Sequence, residues 1–326
     1  MTEYLKGYKG FEHGLICRDK QYKENTVFEE DKAVICNKGM HFCTNPLDVL
    51  DYYGLVNEDG SFNEFAKVDA LADSVTDDNK KYCTTKLKIG VKLGFAGFIK
   101  ACVNFLIEKT SSQEDTLSGD FAQIGSSGDS ARIGSSGDFA QIGSSGDSAQ
   151  IGSSGDSARI GSSGYSARIG SSGDSAQIGS SGYSAQIGSS GDFAQIGSSG
   201  DFAQIGSSGD SAQIGSSGDS ARIGSSGYSA RIGSSGDSAR IGSSGDFARI
   251  TSSGKHSVVM AAGYNSMARA KIGSWITLTE WVKTGEHNKE GYYIWIPKYV
   301  KTEYVDGEHI KEDTFYKLKD GEFVEC

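Results

Sequence analysis

From Gly119 to Ser253 the chain writes one nonapeptide fifteen times, G-[DY]-[SF]-A-[RQ]-I-G-S-S, with Thr251 replacing a glycine in the last copy. Isoleucine returns every nine residues from Ile124 to Ile250, and alanine keeps the same beat two places earlier, from Ala122 to Ala248. A decayed unit, GKHSVVMAA, and then GYNSMARAK follow. A flexible Gly/Ser linker has no need of Ala and Ile locked in phase. The A-x-I alternation puts Ala and Ile on one side of a short strand. The pairs Ala122 and Ile124, Ala131 and Ile133, and Ala140 and Ile142 are the first of this core series. G-S-S-G reads as the turn, with Gly supplying positive φ. One unit cannot bury its own Ala and Ile, but stacked units can. The expected fold class is therefore mainly β, a parallel β-solenoid with 18 residues (two nonapeptides) per coil. At about 4.8 Å per coil, the repeat spans ~40 Å. Residues 113–272 form this solenoid. An α+β N-terminal domain (1–112) and a small antiparallel β C-terminal cap (273–326) flank it.

Variation inside the repeat is confined to [DY], [SF] and [RQ]. By parity [SF] and [RQ] point outward, and [DY] reaches solvent beside the turn. Phe121, Phe139, Phe193 and Phe247 differ by multiples of 18, which predicts one apolar face; Phe202 breaks that rule. Apolar stripes of this kind mark interfaces, so Phe121, Phe139, Phe193 and Phe247, with Asp120, Asp138 and Asp192 beside them, form the predicted binding face. Its partner is expected to be a protein, including a second copy in a homodimer. Twelve units carry Asp, three carry Tyr (Tyr165, Tyr183, Tyr228) and seven carry Arg, a net charge of −5 for the repeat. Calcium is disfavoured, because the Asp directly follows Gly and yields to Tyr three times, whereas the ion needs several oxygens around it. Ice binding calls for arrays of Thr, and the repeat has one. Columns of carboxylates also allow an acidic DNA mimic that inhibits a host-defence or DNA-binding protein, although the seven Arg dilute that field. Unpaired buried polar groups are costly, so the interior Ser hydroxyls and turn amides are expected to pair between coils.

In the N-terminal segment AVIC and MHFC read as short strands around Asn37-Lys38-Gly39. Asn45 and Pro46 then cap and open a helix, LDVLDYY. KYCTTKLKIGV reads as one strand. Leu93 to Lys109 reads as an amphipathic helix with Phe95, Phe98, Ile99, Cys102 and Leu106 on one face. It precedes the first coil and is expected to seal the solenoid end. The stretch CNKGMHFCTNPLDVLDYY resembles the strand–helix element of ADP-ribosyltransferase folds. That resemblance implies His41 and Tyr52 or Tyr53 near a nucleotide pocket, in an enzyme displayed on a rod. No His-Gly-Thr-like partner motif accompanies it, and Glu29 and Glu30 are acidic candidates by type. Cys17, Cys36, His41 and Cys43 are the residue types of tetrahedral zinc, at a spacing that matches no common knuckle.

In the C-terminal segment SWITLTEWV and YYIWIPKYVKTEYV read as strands, and VDGEHI and LKDGEFVE as Asp-Gly hairpins. Trp275, Trp281 and Trp295 are expected to cover the edge left by Ala261, Ala262 and Ala270; their alternative role is a ligand platform. The three blocks GYKGF…CNKGMHFCTNPLDVLDYY, AQIGSSGD and GSWITLTEW…LKDGEFVE resemble uncharacterised proteins of gut bacteria and their phages or prophages. The resemblance implies this architecture and a cytoplasmic setting, and brings no catalytic residues. The chain of 326 residues has a net charge of −10, against direct nucleic-acid binding. No apolar run is long enough for a membrane span, and MTEYLKGYKGFEHG lacks a secretory h-region. The six cysteines are expected to be thiols. The preferred reading is a non-enzymatic interaction scaffold without a cofactor.

Overall fold

A computed structural model of the chain describes residues 5–57, 61–110 and 119–326, with side chains omitted at 107–110. The repeat forms a parallel β-solenoid of about nine coils with two strands and 18 residues per coil. One sheet begins at Gln123–Ser126 and the other at Arg132–Ser135. Within each sheet like residues stack in register, Ile142 on Ile160 and Ile151 on Ile169. Ala122, Ile124, Ile133, Ala140 and Ile142 are buried in one continuous core that extends to the last coil, while Ala131 in the first coil is only half-buried.

The strand lies two residues later than the alternation suggests. It is [RQ]-I-G-S, and the turn is S-G-[DY]-[SF]-A. In thirteen of the fifteen units, all but those of Ser166 and Ser184, the [SF] residue and not glycine takes the left-handed conformation, with φ of 62° at Phe121, 60° at Ser130 and 57° at Phe193. Its N–H donates to a carbonyl one coil on, as from Phe121 to Asp138 at 2.8 Å. The turn glycine is needed for close approach instead. A Cβ on Gly191 would collide with the carbonyl oxygen of Gly173 in the preceding coil.

The repeat Asp has a structural task that parity hides. All twelve accept a backbone N–H from the residue 18 positions later, at 2.7–3.3 Å. Turn amides therefore pair between coils as expected, but the interior hydroxyls do not. Ser153, Ser171, Ser189 and Ser207 bury their Oγ without a partner, since a coil repeat of about 4.8 Å separates successive hydroxyls beyond hydrogen-bond reach.

The N-terminal domain is a seven-stranded antiparallel sheet. Its order is Thr26–Glu29, Lys86–Leu93, Glu64–Ala70, Leu5–Phe11, Met40–Cys43, Lys81–Thr84, Ser74–Thr76. MHFC is a strand, but AVIC is a turn closed by a bridge between Val34 and Lys38, with Cys36 at φ 59°. KYCTTKLKIGV breaks at Thr85, because its halves pair with strands on opposite sides of the sheet. LDVLDYY forms only a 3-10 helix, Pro46–Asp51, with Asn45 capping the N–H of Leu47 at 3.0 Å. The α-helix Phe95–Thr110 (α1) buries Phe95, Phe98, Ile99, Cys102 and Leu106. It does not seal the end of the rod. It lies along the outer face of the sheet that begins at Gln123, where its side chains meet Gly161, Gly179, Gly197 and Gly215. We call this sheet docked and the other open.

Strands of the C-terminal segment finish each sheet; Trp275–His287 joins in parallel and the others antiparallel. Trp275–His287 extends the open sheet and pairs with Tyr293–Tyr304; Tyr316–Lys319 and Glu322–Glu325 extend the docked one. Ile276, Leu278, Val305, Ile310, Tyr316 and Leu318 cover the last coil. The tryptophans contribute at the rim: Trp275 and Trp295 stay over 40% exposed, and Trp281 Nε1 donates to Ala262 O at 2.8 Å. Asp320-Gly321 is a hairpin tip with both φ positive. The Asp306 carboxylate instead accepts the N–H groups of Glu308, His309 and Ile310, which holds VDGEHI as a loop. Among the described residues no helix is long and apolar enough to cross a membrane.

Candidate functional site

The two solenoid sheets carry the same outward residues, [RQ] and Gly, in different surroundings. On the docked sheet Arg159 meets Asp48 at 2.7 Å and Asp51 at 3.8 Å. Gln177 donates to Asp51 at 3.2 Å, Gln195 to Leu50 O at 3.3 Å, and Gln213 accepts from Val56 N at 3.4 Å. These contacts form a polar rail along the 3-10 helix. Beside it the glycines make a floor for apolar side chains: a Cβ would lie 2.9 Å from Leu106 at Gly161 and 2.5 Å from Phe95 at Gly215.

On the open sheet the rail is Arg132, Gln150, Arg168, Gln186, Gln204, Arg222 and Arg240, all exposed. Among the described residues no carboxylate pairs with its four arginines. Along the floor from Gly134 to Gly224 none of the described residues comes within 4 Å of where a Cβ would stand. Rail and floor enclose a shallow trough of about 1160 Å³.

The predicted Phe face is not continuous. Phe121 stacks on Phe139 at 5.0 Å. Phe193, 61% exposed, stands between Ser175 and Ser211 in its column, and with Phe139 it borders a cleft of about 460 Å³ against the 3-10 helix. Phe247 lies between Tyr228 and Tyr264, and Tyr264 meets Trp295 at 4.6 Å. Phe202 joins Tyr183 and Tyr165 on the opposite edge. Asp120, Asp138 and Asp192 each commit Oδ1 to the next coil.

The N-terminal sheet carries a separate pocket of about 360 Å³ that brings His41, Tyr52 and Tyr53 together with Cys17, Cys36 and Cys43. Gly10 allows Tyr53 to lie flat on the sheet, since a Cβ there would stand 2.7 Å from the Tyr53 ring. Lys9, almost fully buried, donates to Cys17 Sγ at 3.3 Å and to His41 O at 3.0 Å. Tyr53 Oη donates to the same Sγ at 3.1 Å, and Lys81 Nζ to Cys36 Sγ at 3.0 Å. Burial lowers the Lys9 pKa and raises that of Tyr53, and it pushes Cys43 up to about 12. Burial, reinforced by Lys9, Arg18 and Lys81, lowers His41 to about 4. The imidazole is then neutral at pH 7. Its Nε2 accepts from Cys36 N at 3.0 Å, so Nδ1 carries the proton.

Three of the four zinc candidates are engaged with other groups here. His41 Nε2 is occupied by a backbone amide and two of the thiols receive lysines, and among the described residues no metal-ligand group of three assembles. All six cysteines are free thiols. Of the acidic candidates, Glu30 lines the pocket but pairs with Lys20, and Glu29 pairs outside it with Lys86. In the pocket wall Lys9, Arg18, Lys20, Lys38 and Lys81 outnumber the acids Asp19 and Glu30, with Lys20 paired to Glu30 and Lys38 to Asp31, and tyrosines supply apolar surface. Sequence reasoning missed Lys9, because nothing in GYKGF distinguishes an inward lysine from an outward one.

Residues 5–101 match a family described only as a domain of unknown function, DUF7666. The match covers the N-terminal sheet and ends inside α1. No curated protein and no solved structure matches the chain.

Proposed function

We propose that the chain is a non-enzymatic interaction scaffold of bacterial or phage origin that works in the cytoplasm. In this reading the solenoid is a ruler that holds the DUF7666 domain on one sheet and offers the other to a protein partner. One observation carries it: the docked sheet already binds a folded domain through the repeat's own rail and floor, and the open sheet repeats both with none of the described residues packed on its floor apart from the tip of Met260. A photo-crosslinking residue at position 188, on the open floor, is expected to capture a protein in the source cell, whereas one at the exposed Val91 of the N-terminal domain is not. Equal or absent capture at 188 overturns the scaffold reading.

A second reading rests on the cationic pocket that gathers His41, Tyr52 and Tyr53: an ADP-ribosyltransferase-like enzyme carried on a rod. Consumption of NAD by the purified chain, lost in Tyr53→Ala, would replace the first reading with this one.

A further inference from the structure

Seven glycines of the open sheet, Gly134 to Gly242, stand in extended backbone, where any residue fits. Six have open space above them, and the seventh touches only the tip of Met260. Glycine weakens a strand by roughly 0.5–1 kcal/mol relative to alanine, and among the described residues nothing requires it at these places. The column also accepts a side chain, since Met260 stacks directly on Gly242. On the docked sheet the same glycines have an evident use, because α1 rests on them. Phe95 lies over Gly215, Ile99 over Gly197, Val103 over Gly179 and Leu106 over Gly161. The eleven steps from Phe95 to Leu106 advance about 16 Å, close to the ~14 Å of three coils. A helical stripe at i, i+4, i+8, i+11 thus keeps nearly in step with the glycine column. The acids Asp48 and Asp51 meet the arginine of the adjoining rail.

We infer that the open sheet receives an amphipathic helix of another protein, with an apolar stripe at this spacing and carboxylates along the flank that faces the arginine rail. The inference rests on the scaffold reading and names the chemistry of its partner. A helix suits a flat glycine floor because its ridge of side chains enters where no Cβ intervenes. The floor spans six coil steps, ~29 Å, enough for about 19 helical residues. The carboxylates belong opposite Arg132 and Arg168 at one end and Arg222 and Arg240 at the other, with Gln186 and Gln204 facing neutral polar side chains between them.

The test uses the full chain and a fluorescent synthetic helix of about 18 residues with Leu, Ile and Val on that stripe and Glu on one flank, read by anisotropy. The control is the same composition in scrambled order. Saturable binding is expected for the first peptide alone, weakening as salt rises. Gly188→Val with Gly206→Val should reduce affinity at least roughly tenfold while circular dichroism and thermal unfolding show the fold intact. Arg168→Glu with Arg222→Glu should reverse the preference toward a Lys-flanked peptide. Equal binding of the scrambled control, or binding indifferent to the glycine variants, overturns the inference. So does doubling of mass that Gly188→Val abolishes, which assigns the sheet to a second copy, or displacement of the peptide by an oligonucleotide. If the peptides fail while crosslinks at 188 persist, the helix falls and the scaffold reading stands; loss of the crosslinks with NAD turnover removes the scaffold reading itself.

Discussion

Docked and open sheets are built from one repeated sentence, yet one is half an interface and the other a bare surface. Arg159 and Arg168 occupy the same repeat position nine residues apart. Arg159 is nearly buried against Asp48 and Asp51, while Arg168 lies in solvent. The difference teaches that the repeat specifies a generic rail and floor, and that the flanking domain decides what each face becomes. The comparison breaks most visibly at the ion pair. Removing one partner of a buried pair leaves an uncompensated charge, worth about 3–5 kcal/mol. Arg159→Ala is therefore expected to release the N-terminal domain, seen as loss of hydrogen-exchange protection in α1. Arg168→Ala should change unfolding by no more than about 0.5 kcal/mol. Equal effects would mean that the domain is not held through the rail.

The floors differ in the same sense and by less. A Cβ at Gly197 would run into Ile99, whereas at Gly188 it would meet nothing. Overpacking costs about 1–3 kcal/mol, so Gly197→Ala should destabilise docking by that amount. Gly188→Ala should be neutral or stabilising by up to about 1 kcal/mol, as measured by urea unfolding. A further contrast within the domain sets Gly191 beside them: its Cβ would strike Gly173 of the neighbouring coil, so Gly191→Ala should destabilise the rod itself by a similar 1–3 kcal/mol.

Much of the rod was legible because a nine-residue beat of Ile and Ala admits few folds, and the 18-residue coil followed from the Phe spacing. The strand boundary was not, because alternation fixes which residues face inward but not where pairing stops. S-G-[DY]-[SF] turns through a left-handed Ser or Phe, a role that sequence rules reserve for Gly. The docking of α1 was illegible for another reason. Its apolar stripe demands burial, and a solenoid end and a glycine floor satisfy that demand equally. The pocket was half legible: His41, Tyr52 and Tyr53 meet there, while the lysines that contact the thiols come from distant strands.

The N-terminal domain should differ from the rod in its response to acid. His41 titrates near 4 when folded, below its ordinary 6.5. A depressed folded value favours the folded state above 6.5, and that contribution is lost as pH falls toward 4, where only the unfolded chain takes up the proton. Discounted for a half-exposed group, the loss is about 1–2 kcal/mol. It should be absent in His41→Gln, and the His41 ring resonances should titrate near 4. A midpoint near 6.5 would show that the pocket opens to water.

The smallest effect separates two kinds of coil edge. Where Asp192 stands, its Oδ1 accepts the N–H of Asp210 at 2.7 Å; where Tyr183 stands, the side chain offers no such acceptor to the next coil, and the ring instead stacks on Tyr165 and packs tilted against Phe202. Asp192→Ala should cost about 1 kcal/mol, as loss of a helix cap does. Asp192→Asn should cost only a few tenths, because the amide oxygen still accepts. Amide exchange at Asp210 should quicken in the alanine variant and not in the asparagine one. If both variants behave alike, the carboxylate's charge holds the coil rather than its geometry. Tyr183 could then replace Asp only because stacking of the rings compensates for the missing charge.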